Sequence, residues 1–136
     1  VTITLQDIPE LLLPNNALWQ VKALVVDGRS PAIDALESWQ RQHPDDYKRI
    51  LKSIRIAVMQ RRITADRKHV GKNQNPKYGD VYEFIAYTGI ARLMFFYDDG
   101  ADALIVCTNA FEKSRGSQDA AFARCAAYRD LYLKHP

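Results

Sequence analysis

Apolar and β-branched positions between residues 80 and 113 fall into three runs separated by two turns. Asp80-Val-Tyr-Glu-Phe-Ile-Ala-Tyr87 is followed by Thr88-Gly89 and then by Ile90-Ala-Arg-Leu-Met-Phe-Phe-Tyr97. Asp98-Asp-Gly-Ala-Asp102 leads into Ala103-Leu-Ile-Val-Cys-Thr-Asn109. Aromatic and β-branched runs broken by Gly-containing turns predict a β-meander. The middle run is apolar at every position except Arg92, which predicts a central strand covered on both faces. A guanidinium there needs a polar site, because burying it unpaired is costly. Arg92 is therefore the first functional candidate. With Thr88-Gly89 as a two-residue turn, Arg92 falls opposite Ile85. Glu83, two positions along the same face, is then within reach of a salt bridge.

Upstream, Val1 to Asn16 contains Pro9, Pro14 and Asn15-Asn16, and reads as an irregular lead-in that packs its leucines on the body of the protein. Ala17 to Asp27 reads as a strand with Trp19, Val21 and Ala23 on one face and Gln20 and Lys22 on the other. Ser30-Pro31 supplies a cap and a first helical residue, Ala32, Leu36 and Trp39 follow at helical spacing, and Pro44 stops that helix. Asp45-Asp46 place negative charge at the start of a second helix, with Tyr47, Ile50, Leu51, Ile54 and Val58 on one face and an expected end near Ile63. The two helices should pack as an antiparallel pair. Thr64 to Gly79 is polar and has the composition of a long loop, a setting that tends to be functional. His69 within it is a candidate acid or base, although a lone histidine in a basic loop is also read as a bystander. After the meander, Ser117 caps a closing helix whose apolar stripe is Phe122, Cys125, Ala126 and Leu133.

The resulting order is strand, helix, helix, strand, strand, strand, helix. With the helices segregated around a mainly antiparallel sheet, this is an α+β fold with an N-terminal helical hairpin. The 136 residues suit one domain, residues 1–136. Its 47% hydrophobic and 26% charged content suits a soluble globular chain. No apolar run approaches the roughly 18 residues of a membrane span. Val1 to Leu13 lacks the features of a signal peptide. Cys107 and Cys125 fit no metal spacing and read as buried thiols, which suits a cytoplasmic protein.

Charge changes the picture more than composition does. Residues 48–77 hold 10 of the 19 Lys and Arg but one acid, Asp66, so the rest of the chain carries an excess of acid. Such asymmetry creates a local positive field suited to nucleic acid, although a solvated helix face and loop would look the same.

The meander and its surroundings resemble the RelE/ParE superfamily of type II toxins, particularly its HigB-like, phage-related branch. Val81-Tyr82-Glu83-Phe84 looks like that branch's Leu-Tyr-Glu-Leu strand. Ile90 to Tyr97 is similar to its Arg-centred, aromatic-rich strand. Asn109-Ala110-Phe111-Glu112-Lys113 falls where the family has His-Gly-Phe-x-Lys-Lys, and Ala120 to Tyr132 matches its closing helix. The resemblance implies a toxin that enters the ribosome, cuts mRNA without a metal or cofactor, and is held inactive by an antitoxin protein. Arg92 and Lys113 then stand as the catalytic cations on the phosphate. Lys68, Lys72, Lys77 and Arg115 are candidate RNA contacts, and Tyr82 a candidate stacking ring. The chain departs from the family at Glu83 and Ile85, where RelE-type members carry two lysines, at Asn109 in place of histidine, and at Ser114 in place of the second lysine. A non-catalytic binding protein on the same fold, phage-related or ParE-like, is the alternative reading.

Overall fold

A computed structural model describes residues 1–62, 66–100 and 102–135. Ile3 and Leu5 alternate with Thr4 and Gln6, and Ile3–Asp7 forms strand β1. It pairs antiparallel with β2, Gln20–Val26, from Ile3 opposite Val26 to Asp7 opposite Lys22. This corrects the expected irregular lead-in for its first half. The alternation is only five residues long and acquires meaning from a pairing partner further down the chain. Residues 8–16 are irregular, with Ile8 in the core, Leu11 and Leu13 packed against it, and Leu12 exposed.

Helix α1 spans Pro31–Gln42, and the Ser30 hydroxyl accepts the Ile33 amide at 3.2 Å, as its sequence predicts. Pro44 ends it and opens α2, Pro44–Ala57. The second helix stops short of the expected end near Ile63, which lies outside the described residues. Two carbonyls at its end are claimed by other groups: the Leu18 amide donates to Val58 O at 2.8 Å and the Trp19 indole to Gln60 O at 2.7 Å. Continuing the helix would compete with both bonds.

The remaining elements are β3 (Val70–Lys72), β4 (Tyr82–Ile85), β5 (Ala91–Asp98), β6 (Leu104–Glu112) and α3 (Gln118–Leu133). They complete one six-stranded sheet in the order β1-β2-β6-β5-β4-β3. Among the described residues β2 and β6 run parallel and the other neighbours are antiparallel. The expected seven-element order is present, with β1 and β3 added at the two edges. The α+β class holds. The β4–β5 register also falls where the two-residue turn puts it, Ile85 opposite Arg92.

Helices α1 and α2 cover one face of the sheet, where Tyr82, Phe84, Leu93, Phe95, Ile105 and Cys107 join Trp39, Ile50 and Ile54 in the core. Phe84 and Phe95 stack there with ring centroids 3.9 Å apart. Helix α3 covers the other face over Met94, Phe96 and Val106. Its Phe122, Cys125 and Ala126 are buried as the stripe predicts, but Leu133 is 60% exposed. Tyr132 takes the packing position instead, its ring against Phe96 and its hydroxyl donating to Asp98 at 2.6 Å. Cys107 and Cys125 are both free and buried. Among the described residues no helix is long and apolar enough to cross a membrane.

Two polar side chains tie helices to the sheet. Asp46, expected only to complement the helix dipole, is buried and accepts the Ile90 and Ala91 amides at 2.8 and 2.9 Å. It thereby ties the α2 N-terminus to the start of β5. Gly89 leaves room for that carboxylate, which a Cβ would strike. Thr88 carries the positive φ of the turn, at 71°. A register shift in β6 opposite the Leu93–Phe95 segment turns both Thr108 and Asn109 toward α3. The Asn109 amide donates to Ala121 O at 3.1 Å.

Candidate functional site

Helix α3 crosses β5 and β6 but leaves the β3–β4 side of its sheet face uncovered. A cleft of about 430 Å³ opens there. Its floor is Gly71, Glu83, Ile85, Arg92 and Phe111, one residue or two from each of four adjacent strands. Arg67 walls one side, Lys113 and Gln118 the other. Strand alternation explains the convergence: Glu83, Ile85 and Arg92 are the positions of β4 and β5 that point away from the aromatic core.

Arg92 is held firmly. Its Nη1 donates to Gly89 O at 3.1 Å and to Ala91 O at 2.9 Å, and Nε lies 3.9 Å from Glu83 Oε1. Its side chain is 11% exposed, enough to reach the cleft. Burial lowers the pKa of the guanidinium, and the carboxylates of Glu83 and Asp46 oppose that shift.

Glu83 is the unusual group. It is 3% exposed, and its Oε1 is enclosed without a hydrogen-bond partner among the described residues. Its Oε2 accepts the Gln118 amide at 2.5 Å. Burial raises the pKa of this carboxyl above the ordinary glutamate value, while the Gln118 hydrogen bond and the charges of Arg92 and Lys113 pull the other way. A raised carboxyl pKa beside cations in a cleft marks a candidate proton-transfer group. Gly71 permits the arrangement, since a Cβ there would lie 2.6 Å from Glu83 Oε2. Gly71→Ala is expected to push the carboxylate off Gln118, seen as loss of that contact in a crystal structure and as reduced cleft function.

The structure brings Arg92 and Lys113 together and adds Arg67, whereas Lys72 is opposite Tyr82 in the β3–β4 ladder and holds its ammonium 5.7 Å over that ring on the other face of the sheet. Lys72 also pairs with Asp80 at 3.3 Å at the rim. Lys68, Lys77 and Arg115 are exposed but do not line the cleft. Lys68 lies 4.9 Å over the Tyr87 ring. Tyr82 is a correction: it is 5% exposed, sits on the opposite face of the sheet and stacks on Phe95, so its ring is not open to a base. Asn109, at the family's histidine position, is spent on holding α3. Sequence reasoning missed Arg67 and Gln118 and read Glu83 only as a partner for Arg92. The period-two pattern through Glu83 and Ile85 was the available signal for the cleft face.

The polar segment is built around another carboxylate. Asp66 Oδ1 accepts the amides of Lys68, His69 and Val70 at 2.9, 2.7 and 3.0 Å, and Oδ2 lies 3.1 Å from His69 Nδ1. Burial favours the protonated acid, but the Val70, His69 and Lys68 amides and the His69 ring outweigh it and hold its pKa well below the usual carboxylate range. Among the described residues, no group of three or more His, Cys, Asp or Glu side chains is placed to hold a metal. No protein-family model matches the chain, and no curated protein or solved structure matches it significantly.

Proposed function

We propose that the chain is a RelE-like toxin that cuts mRNA in this cleft, acting on the ribosome in the cytoplasm and held in check by an antitoxin partner. One observation carries the proposal: Arg67, Arg92 and Lys113 converge on one cleft around the buried carboxyl of Glu83. The core order β2-α1-α2-β4-β5-β6-α3, with β2 parallel to β6, also supports the RelE-like reading.

The cations suit the phosphate of the scissile bond. Arg92 offers a fixed guanidinium edge and Lys113 a mobile ammonium, and both stabilise charge as the phosphorus centre gains its fifth ligand. Glu83 is placed to accept the proton of the attacking 2′-hydroxyl, which would take the position of the Gln118 amide on Oε2. Gln118 is exposed at the start of α3 and free to swing aside. Proton transfer of this kind contributes about 10²–10⁴-fold.

Primer extension on translating ribosomes tests the proposal. Site-specific stops are expected with the native protein and a fall of about 10²–10⁴-fold with Glu83→Gln; no stops with the native protein would overturn it. Stability should move the other way. Since the folded-state pKa of Glu83 is raised, the protein loses stability as pH climbs from the ordinary glutamate range through that raised value. Glu83→Gln escapes this loss, so its Tm at pH 7 should equal or exceed that of the native protein.

A second reading has its own support. With Gln118 in place both Glu83 oxygens are covered, an arrangement that suits a cleft binding an anion without cleaving it. RNA binding that is salt-dependent and lost in Arg92→Ala, without any primer-extension stop, would favour that alternative.

A further inference from the structure

Gln118 lines the cleft and is the first residue of α3. Its side-chain amide donates to Glu83 Oε2 at 2.5 Å. The start of the helix is held by other contacts. The Ser117 hydroxyl accepts the Ala120 amide at 3.2 Å, and the Asn109 side chain donates to Ala121 O at 3.1 Å. Asp119 accepts the Tyr78 hydroxyl at 3.0 Å and the Asn75 side chain at 3.4 Å, both from the connection between β3 and β4. Releasing Gln118 therefore costs one hydrogen bond and a change of rotamer, and leaves α3 where it is.

Glu83 depends on that bond. Its Oε1 has no hydrogen-bond partner among the described residues, and Arg92 Nε, 3.9 Å from that oxygen, supplies charge without a hydrogen bond. An acceptor as buried as this is costly to leave unpaired, so the resting cleft is closed over Oε2. A ligand gains that oxygen by bringing a donor of its own. Phosphate by itself does not qualify. Drawn in by Arg67, Arg92 and Lys113, it offers acceptors, and an acceptor cannot replace an amide on a carboxylate. A ribose 2′-hydroxyl beside a 3′-phosphate offers both, oxygens to the cations and an O–H to Oε2. The two groups are neighbours in the ligand, as Glu83 and Arg92 are in the cleft.

Resting on the reading of the cleft as an RNA site, we propose that Gln118 is an autoinhibitory latch on Glu83, displaced by a ligand that carries a hydroxyl beside its phosphate. The latch makes Gln118 a determinant of affinity and of ligand choice. In the native protein the hydroxyl exchanges one hydrogen bond on Oε2 for another and gains little. With the amide removed, the hydroxyl pairs an oxygen that has lost its donor, and binding tightens. A ligand without the hydroxyl has nothing to exchange and is indifferent to the latch.

Calorimetric titration with adenosine 3′-monophosphate and its 2′-deoxy counterpart tests this, since neither carries a 5′-oxygen leaving group on its phosphate. Gln118→Ala should bind the ribonucleotide about 10–100-fold more tightly than the native protein does, the worth of a hydrogen bond to a charged group. It should bind the deoxynucleotide with native affinity. Gln118→Met keeps the length of the side chain without the donor and should follow the alanine variant, which separates the hydrogen bond from bulk. Variants that gain equally for both nucleotides, or that keep native affinity for both, overturn the latch and leave the RNA reading standing. Binding of neither nucleotide by native or variant protein overturns the reading of the cleft as an RNA site as well.

Discussion

Arg92→Ala is expected to slow RNA cleavage by about 10²–10³-fold, the usual cost of removing one fixed donor from a developing oxyanion. The same change should expose the coupling between Arg92 and Glu83. Arg92 is one of the charges that lower the Glu83 pKa against burial, so its removal lets that pKa climb further. Below the ordinary glutamate range Glu83 is neutral in folded and unfolded chains alike, and the variant loses little through this route. As pH rises the buried carboxylate must ionise without its nearest cation, and the deficit in stability grows. Thermal unfolding of native and variant protein between pH 4 and pH 8 checks this; a constant Tm difference would show that the pair is not coupled. Arg92→Lys separates charge from geometry. It keeps a cation near Glu83 but loses the two Nη1 bonds to Gly89 and Ala91, so it should recover stability more fully than cleavage.

Asp46→Ala is expected to destabilise the fold by about 2–6 kcal/mol, since two backbone amides lose their acceptor at roughly 1–3 kcal/mol each. Ala91 is fully buried, so water cannot replace the carboxylate there. The loss should appear as a lower midpoint in urea with little change in slope. Asp46→Asn keeps one oxygen and should recover part of it. Because the turn carrying these amides also holds the carbonyl that fixes Arg92, the alanine variant should lose cleft function beyond its loss of folded protein. A midpoint within error of the native value would show that the α2–β5 tie is dispensable.

Local chemistry was legible in the sequence wherever a single residue's own preference decided the outcome. Ser30-Pro31 and Ser117 start helices because a hydroxyl satisfies an orphan amide of the first turn. The Thr88-Gly89 turn puts Arg92 opposite Ile85 because hairpin register follows turn length. The charge of residues 48–77 was visible too, although among the described cations of that segment Arg67 alone turns its charge into the cleft. The edge strands were not legible. Val70–Lys72 is too short to show a period and is a strand through its ladder to β4. Ile3–Asp7 likewise needs β2 beside it. The same period-two pattern that puts Glu83 and Ile85 on the cleft face puts Tyr82 on the opposite one.

By itself, then, the sequence determined the α+β class, the starts of α1, α2 and α3, the β4–β5 register, and Arg92 as the polar exception in a buried strand. These follow from side-chain periodicity and capping, which act over a few residues. The tertiary structure decided what surrounds Arg92. It brought Lys113 and Arg67 to the same opening and enclosed Glu83 beneath Gln118. Each of those relations joins residues far apart in the chain. They exist because the strands pair side by side and α3 leaves one corner of the sheet bare.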